Sequence, residues 1–446
     1  MSKPSITPRT LKGFRDYLPT EMAPRRDMIA QIEATFRRHG FAPLDTPALE
    51  YAEILTGKYG EEGDKLLYRF RDNGDRDVAL RYDLTVPLAR LMAQHGGTLP
   101  SPFRRYHVGT VWRADKPQRG RFREFVQCDA DLCGHNSAIA DAEILTVGLE
   151  VLAALGVRDA CIHVNHRYVL TGLIEAAGVP EDAAGSVIRA VDKLDKIGPD
   201  GVADEIVRVA GVDAETARRV LDVFAEATDL DALDAILERA GASGDKRANS
   251  VGRLRDVFAL VEAAGHGAMV RFDASIARGL DYYTGIIYET RLTDPKVAGV
   301  GAVMSGGRYD HLIGTFGKTE VPAVGISLGL DRLLAALREL GLAADGRLGA
   351  DVFVAMFGKD DGADAMAAAA ELRAAGISTE LATELGKLGK QFKAADRRGC
   401  RAAVVVAPGE RARGEIVVKS LQSGEQRAVA RTALVEAVRD ALATSA

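Results

Sequence analysis

The feature that most constrains the fold is the segment FRRYHVGTVWRADKPQRGRFREFVQCDADLCG, which runs from Phe103 to Gly134. Two stretches of alternating polar and apolar residues, roughly Tyr106 to Ala114 and Arg121 to Leu132, flank the turn-rich sequence DKPQRG. Alternation with a period of two is typical of a β-strand, and two such strands joined by a turn form a hairpin. The segment therefore predicts a domain built on an antiparallel sheet.

The same alternation assigns side chains to the two faces of the second strand, because residues two apart share a face. One face carries Arg121, Arg123, Phe125, Gln127, Asp129 and Asp131. The other carries residues expected to enter a core, namely Phe122, Val126, Cys128, Ala130 and Leu132. Guanidinium groups bind phosphate oxygens, an aromatic ring stacks on a base, and amides and carboxylates bind cationic N–H groups. The first face thus suits a triphosphate, a base and a small cationic substrate; a hydrated face with ion pairs is the alternative.

The chain has 446 residues, which are enough for two or three domains. Its pattern of polar and apolar residues changes several times along this length. Strand and hairpin patterns dominate to Gly134, an alanine-rich charged helical pattern fills residues 168–264, and strand patterns then resume. A Gly/Ala linker precedes strands and helices in alternation, which predict a small α/β domain with a largely parallel sheet. The predicted division is 1–167 and 265–340 for one domain, 168–264 for a helical insertion, 341–349 for a linker and 350–446 for the last domain.

Charge is unevenly spread over a chain whose net charge is −5. Five Lys or Arg residues face one acid between Arg113 and Arg123, and eight face two between Lys387 and Arg413. Two local basic patches indicate a polyanion held at two places, although a solvated helix face explains either patch alone.

Other features exclude several classes of protein. With no apolar run of 18 residues and no apolar core in the N-terminal sequence, we expect a cytoplasmic protein with no membrane contact. The four cysteines have no CxxC spacing and are expected to be free buried thiols. His163 and His166 should point to opposite faces of a strand, which argues against a metal site there.

Several blocks of the sequence resemble, in the expected order, those of the histidyl-tRNA synthetase family. The hairpin with VWR and RFREF is similar to motif 2 of class II aminoacyl-tRNA synthetases, and VPAVGISLGLDRLLAAL is similar to motif 3. LKGFRDYLP, ALRYDLTVPLAR, ARGLDYYTG and SGGRYD resemble further blocks of the family, the last two being its histidine-specific signatures. The resemblance implies an α+β catalytic domain of the class II type on an antiparallel sheet, an all-helical insertion and a C-terminal α/β anticodon-binding domain.

The implied activity has two steps that serve protein biosynthesis. L-histidine and ATP give histidyl-adenylate and pyrophosphate, and the histidyl group then moves to the 3′ end of tRNA(His). The alternative is a relative without catalysis, the histidine-sensing regulatory paralogue of ATP phosphoribosyltransferase, which shares the catalytic fold. That class usually lacks the C-terminal domain and the arginine found here as Arg278.

Roles for individual residues also follow from the resemblance. Charge stabilisation at the α-phosphate is assigned to Arg113 and Arg278. Histidine binding is assigned to Asp83, Thr85, Gln127, Asp131, Tyr283 and Tyr309, and ATP binding to Arg113, Arg121, Arg123, Phe125 and Arg332. tRNA binding is assigned to Lys116, Arg119, Lys387, Lys390, Lys393 and Arg397. Asp281 is expected to fix a turn and Tyr282 to pack.

Three further expectations come with these roles. No metal site is expected in the protein, because Mg²⁺ is held mainly by the ATP phosphates. Motif 1, which is roughly the helix to Gly40 and the strand through Pro47, implies a homodimer. The common bacterial pattern of the family has glutamates where this chain has Asp83 and Asp131, and aspartate is one methylene shorter, so the contacts at these two positions should differ.

Overall fold

The computed structural model describes residues 6–117, 121–277, 282–317, 319–343, 346 and 348–443. These residues form two compact units, one with residues 6–16 and 25–343, the other with residues 17–24, 346 and 348–443. The strands of the first unit are β1 (Ala42–Pro43), β2 (Leu49–Tyr51), β3 (Arg69–Arg71), β4 (Asp77–Leu80), β5 (Phe103–Trp112), β6 (Glu124–Cys133), β7 (Ala160–His166), β8 (Val270–Phe272), β9 (Ile286–Leu292), β10 (Met304–Arg308) and β11 (Ala323–Gly329).

Helices surround these strands. They are α1 (Pro19–Arg38), α2 (Ala52–Leu55), α3 (Gly60–Asp64), α4 (Thr85–His95), α5 (Ala138–Ala154), α6 (Arg167–Ala176), α7 (Glu181–Val191), α8 (Leu194–Ala210), α9 (Ala214–Glu226), α10 (Leu230–Arg239), α11 (Gly244–Arg247), α12 (Arg253–Ala263) and α13 (Leu330–Glu339). Residues 25–38 of α1 belong to the first unit.

The main sheet has eight strands in the order β1-β5-β6-β11-β10-β9-β7-β8. Only the outermost pairs, β1 with β5 and β7 with β8, are parallel within this sheet. The predicted antiparallel sheet is therefore confirmed. β5 and β6 form the predicted hairpin, paired from Phe103↔Cys133 to Trp112↔Glu124.

The start of β6 differs from the prediction. The continuous strand begins at Glu124 and not at Arg121, so the period-two rule does not apply to the residues before it. Phe122 accordingly does not enter the core. The Arg15 guanidinium carbon lies 4.0 Å from the centroid of the Phe122 ring, and Phe122 lines a cavity. From Cys128 onward the prediction is correct, since Cys128, Ala130 and Leu132 are buried in the hydrophobic core.

Strand register brings a row of polar side chains across the opposite face of the sheet. Residues paired across neighbouring strands share a face, and the pairs link one strand to the next through the whole sheet. In spatial order the row is His107, Asp129, Ser327, Ser305, Glu289 and His163. A row of this kind in the middle of a large sheet marks the face on which polar chemistry is possible.

Helices α6 to α12 occupy the predicted helical insertion, from Arg167 to Ala263. Their buried residues, such as Leu170, Val187 and Leu254, belong to the same hydrophobic cluster as Ile162 and Val164 of β7. The insertion therefore shares a core with the main sheet.

The second unit contains the strands β12 (Val352–Met356), β13 (Thr379–Leu381), β14 (Ala402–Val406), β15 (Glu415–Ser420) and β16 (Gln426–Ala430). Its later helices are α14 (Gly362–Ala374), α15 (Leu388–Arg397), α16 (Pro408–Ala412) and α17 (Leu434–Ala443). The strand order is β13-β12-β14-β15-β16. The first three strands are parallel, as predicted, but β15 and β16 are antiparallel. The links into these two strands are too short for a parallel crossover, and β16 is a mostly exposed edge strand.

The two histidines of β7 have separate surroundings. His163 Nδ1 lies 2.8 Å from Asp273 Oδ2, while His166 is buried and its Nδ1 accepts a hydrogen bond from the backbone N–H of Tyr168. Burial lowers the pKa of His166 to about 3, so this ring stays neutral. All four cysteines are buried free thiols, as predicted. In the described ranges, no helix has both the length and the apolar character needed to span a membrane.

We expect the His163–Asp273 pair to make the free energy of unfolding fall as the pH rises into the alkaline range. The hydrogen bond with Asp273 raises the pKa of His163 from 6.5 to about 9, and bonds from His163 and Ser275 lower the pKa of Asp273 to about 2 against the effect of burial. A raised histidine pKa stabilises the folded state fully below pH 6.5, and this contribution disappears as the pH rises through about 9.

The urea midpoint of the wild-type protein should therefore exceed that of His163→Gln more at pH 6.5 than at pH 9.5. A difference that stays constant across this range would show that the charge on His163 contributes nothing.

Candidate active site

A cavity of about 770 Å³ opens on the polar face of the main sheet. Its walls come from the β5–β6 hairpin, the residues before α4, the residues on both sides of β9, the strands β10 and β11, the start of α13, and α7 and α8 of the insertion. A volume of this size accommodates a ligand as large as a nucleotide with a small substrate.

Basic and aromatic side chains line one end of this cavity. Arg113 donates from Nε to the Tyr82 carbonyl oxygen at 3.0 Å, and its guanidinium carbon lies 4.2 Å from the Tyr82 ring centroid and 5.2 Å from that of Phe125. Arg121 makes two hydrogen bonds of 2.9 Å to the Asp115 carboxylate. Arg332, at the start of α13, donates to the Ala302 carbonyl oxygen at 2.7 Å. The arrangement provides guanidinium groups held in place by neighbouring groups, together with an aromatic surface.

Arg123 is not part of this end of the cavity. It donates from Nε to the Asp115 carbonyl oxygen at 2.9 Å, and its aliphatic stem packs against Gly13. Gly13 has a φ of +89°, and a Cβ at this position would lie 2.8 Å from Arg123 Cγ. Arg123 does not line the cavity, and its predicted place near the phosphates stays a prediction.

Carboxylate, hydroxyl and amide groups also line the cavity, and the region around Asp83 is called the carboxylate end. Asp83 is buried and accepts hydrogen bonds from Tyr59 Oη at 3.1 Å, from Tyr282 Oη at 3.1 Å and from the Val86 N–H at 3.0 Å. Burial raises the pKa of Asp83 above its ordinary value. The predicted residues Thr85, Gln127 and Tyr283 line the same cavity.

Sequence reasoning missed two tyrosines of this site. Tyr282 was expected only to pack, but its hydroxyl donates to Asp83, and its ring lies 5.0 Å from that of Tyr283. Tyr59, in a separate part of the sequence, donates to the other oxygen of the same carboxylate. The position of Asp83, two residues before a helix, predicts a cap for α4, but nothing local indicates which hydroxyl groups reach it.

Asp131 and Tyr309 lie beside the cavity and do not line it. The Tyr309 hydroxyl donates to Asp131 Oδ1, and Arg105 Nη2 lies 2.7 Å from Asp131 Oδ2. All three residues are at most 2% exposed. Gly325 provides space for this carboxylate, since a Cβ there would lie 1.9 Å from Asp131 Oδ1. Burial raises the pKa of Asp131 and the Arg105 charge opposes that rise.

The helical insertion adds charged side chains that the sequence did not single out. Arg189, Lys193, Glu205 and Arg208 line the cavity. Glu205 pairs with Lys193 at 2.7 Å and with Arg208. Because these residues alternate with apolar ones on amphipathic helices, their sequence pattern alone indicates a solvated face.

The remaining predicted residues lie elsewhere. Arg278, Asp281 and Arg119 are outside the described residues. Lys116 is exposed and does not line the cavity, and Lys387, Lys390, Lys393 and Arg397 are exposed on and next to α15 of the second unit. Within the described ranges, no group of three or more His, Cys, Asp or Glu side chains could hold a metal ion.

Comparison with known proteins agrees with this architecture. The family model for histidyl-tRNA synthetase matches residues 13–333, and the model for an anticodon binding domain matches residues 351–441. The chain is 46% identical to the histidine–tRNA ligase of Rhodopirellula baltica over 98% of this chain and 99% of that protein, and 41% identical to that of Wolinella succinogenes over 95% and 96%. The crystal structure of histidyl-tRNA synthetase from Nostoc sp. PCC 7120 is similar with a TM-score of 0.85 and 32% identity, covering 98% of this chain and all of that one.

Proposed function

The chain belongs to the histidyl-tRNA synthetase family, and from this premise we propose how its cavity carries out the reaction. It is a class II aminoacyl-tRNA synthetase that activates L-histidine with ATP to histidyl-adenylate and pyrophosphate and transfers the histidyl group to the 3′ end of tRNA(His). The similarity extends over nearly the full length of catalytic relatives and includes the anticodon-binding domain, and nothing in it favours the histidine-sensing paralogue.

One observation supports the proposed mechanism: guanidinium groups and the buried Asp83 carboxylate line the same cavity. ATP is proposed to lie against the guanidinium groups and histidine against the Asp83 carboxylate, so that the histidine carboxylate meets the α-phosphate between them. This carboxylate is already ionised at neutral pH, so the first step needs no protein base. The protein contributes by orienting the reactants and by stabilising negative charge on the α-phosphate.

Arg113 is well placed to stabilise that charge. Its Nε donates to the Tyr82 carbonyl oxygen and its guanidinium group contacts the Tyr82 and Phe125 rings, so these contacts orient it before the transition state forms. Arg278 is proposed to assist at the α-phosphate, as the family resemblance implies.

ATP itself is proposed to stack its adenine between Phe125 and the Arg332 guanidinium, which both line the cavity. Arg121 would bind the outer phosphates, with Asp115 holding its guanidinium in place. Arg123 would instead support the hairpin through Asp115 and Gly13. Mg²⁺ is proposed to enter with ATP on its phosphate oxygens, where it neutralises charge.

Histidine would bind at the carboxylate end. Asp83, Thr85 and Gln127 are proposed to hold the α-ammonium group, which matches the buried negative charge at this end. The imidazole would lie against Tyr283, and the hydrogen-bonded pair of Tyr309 and Asp131 is proposed to recognise its N–H, which requires these two side chains to reach the cavity when histidine binds.

Pyrophosphate exchange tests the proposed function directly. ATP–pyrophosphate exchange by the purified protein, assayed with each of the twenty amino acids, should proceed with histidine alone. Exchange with a different amino acid would contradict the substrate assignment, and histidine binding without any exchange would indicate the sensing paralogue.

Two basic regions are proposed to bind tRNA(His). The hairpin residues Lys116 and Arg119 would contact the acceptor end, and Lys387 with the α15 residues Lys390, Lys393 and Arg397 would contact the anticodon region. We further propose a homodimer formed through α1 and the following strand, which light scattering would test. We also propose that the protein works in the cytoplasm, where tRNA is charged for translation.

Charge reversal on α15 should separate tRNA binding from amino-acid activation. The double variant Lys390→Glu/Lys393→Glu is expected to raise KM for tRNA(His) by about tenfold or more, because two phosphate contacts become repulsive, while histidine-dependent exchange stays unchanged.

The matched control for that variant is Arg439→Glu. Arg439 is exposed on α17, which packs on the opposite face of the small sheet from α15. Equal loss in both proteins would mean that general charge, and not the α15 surface, determines tRNA binding.

A further inference from the structure

The two polar atoms of the Gln127 amide differ in their hydrogen bonding. Its Nε2 donates a hydrogen bond to Ser327 Oγ. Its Oε1 is buried and has no hydrogen-bond partner among the described residues, although the side chain lines the cavity. A buried acceptor without a partner is costly, so this oxygen is positioned for a donor supplied by a ligand.

Asp129 lies behind Ser327 and explains the orientation of the amide. The two residues are paired directly across β6 and β11, which places the Ser327 side chain beside the Asp129 carboxylate, and the hydroxyl lowers the pKa of Asp129 against the effect of burial. Asp129 is 1% exposed, and its Oδ1 has no partner within the part of the chain that the structure describes. A serine hydroxyl has a single hydrogen. If that hydrogen is donated to Asp129, only oxygen lone pairs remain for Gln127, so the amide must present its NH₂ to Ser327 and its oxygen to the cavity.

We propose that Asp129 and Ser327 are positioning residues for histidine, which orient Gln127 so that its Oε1 accepts a hydrogen bond from the substrate α-ammonium. This inference rests on the proposed binding of histidine at the carboxylate end of the cavity. When Asp129 takes up a proton from solvent, its O–H donates to Ser327, and the Ser327 hydrogen turns toward Gln127. The amide then presents its NH₂ group to the ammonium, and histidine loses an acceptor.

The charges around Asp129 place this change near neutral pH. Burial raises the pKa of Asp129 to about 7, with Arg105 opposing the rise and Asp131 and Asp83 adding to it. The other polar or charged groups near it are Arg81, His107 and Tyr283. Burial lowers the pKa of His107 to about 3, and burial raises the pKa of Tyr283 above its ordinary value. Both groups therefore stay neutral between pH 6 and pH 8, whereas Asp129 changes charge in this range.

The experiment compares histidine dissociation constants of wild type and Ser327→Ala by calorimetry at pH 6 and pH 8. Dividing one constant by the other at each pH cancels the titration of histidine itself. The dissociation constant of Ser327→Ala divided by that of wild type is expected to be about ten at pH 8, where only the variant lacks the oriented Gln127 acceptor. It should fall toward one at pH 6, where wild type has lost the oriented acceptor too. KM for ATP should not change.

Two further variants keep the test decisive. Thr290→Val removes a buried hydroxyl that has no partner in the described structure, from the core face of the same sheet, and its ratio should be one at both pH values. If Ser327→Ala does not fold, Asp129→Asn replaces it and should show the same change of the ratio between pH 8 and pH 6. A ratio independent of pH, or a parallel loss of ATP affinity, would overturn the proposal. Loss of exchange by wild type would instead contradict the proposed function, because the binding ratio does not depend on catalysis.

Discussion

Replacing Arg113 by methionine should reduce kcat for histidine-dependent pyrophosphate exchange by about 10²–10³-fold, the usual cost of removing one preorganised group that stabilises transition-state charge. Methionine keeps part of the apolar contact with Tyr82 and Phe125 but cannot compensate negative charge on the α-phosphate. KM for histidine should change less than kcat, because Arg113 makes none of the hydrogen bonds that hold the Asp83 carboxylate in place. The measurement is steady-state exchange with histidine and ATP varied separately.

Two comparisons sharpen this prediction. Arg113→Lys should restore only part of the rate, since an ammonium group cannot reproduce the planar, stacked guanidinium. Arg69→Met removes an exposed arginine that is paired with Asp77 in the small β2-β4-β3 sheet, and it should leave exchange unchanged. An Arg113→Met enzyme with normal kcat and a raised KM for ATP would assign Arg113 to ground-state binding and reject its proposed role.

The second large effect is expected for Arg105, which is 0% exposed and compensates the Asp131 charge. Arg105→Met should lower the free energy of unfolding by about 3–5 kcal/mol, because breaking a buried ion pair leaves one charge uncompensated. Trp112, the single tryptophan, lies on the same strand, so its fluorescence during urea unfolding reports on this sheet.

The cause can be separated from simple loss of packing. Asp131→Asn in the Arg105→Met background removes the uncompensated charge and should recover part of the lost stability. Arg69→Met, which breaks an exposed pair, should produce no measurable change in the midpoint. If the double variant is as unstable as the sum of the two single variants, the pair is not coupled and the destabilisation arises from packing.

Much of the fold was predictable from local patterns. The alternation in β5 and β6 predicted the hairpin, and the alanine-rich texture after His166 predicted α6 to α12, because side-chain periodicity follows directly from strand and helix geometry. The predictions were wrong where a pattern was extended past the element: Phe122 and Arg123 precede the strand, so they follow no alternation.

The sequence by itself determined which residue types stand on one strand face, from Phe125 through Gln127 and Asp129 to Asp131, and hence the kind of ligand they suit. Only the tertiary structure decided which distant groups meet them: Tyr309 donates to Asp131 across 178 residues, and Gln127 binds Ser327 across 200. It also decided that Lys193 and Arg208 of the insertion line the cavity. The reason is physical. Periodicity is set by the backbone geometry of a few neighbouring residues, whereas these contacts depend on the register of non-adjacent strands and on the packing of helices onto a shared core.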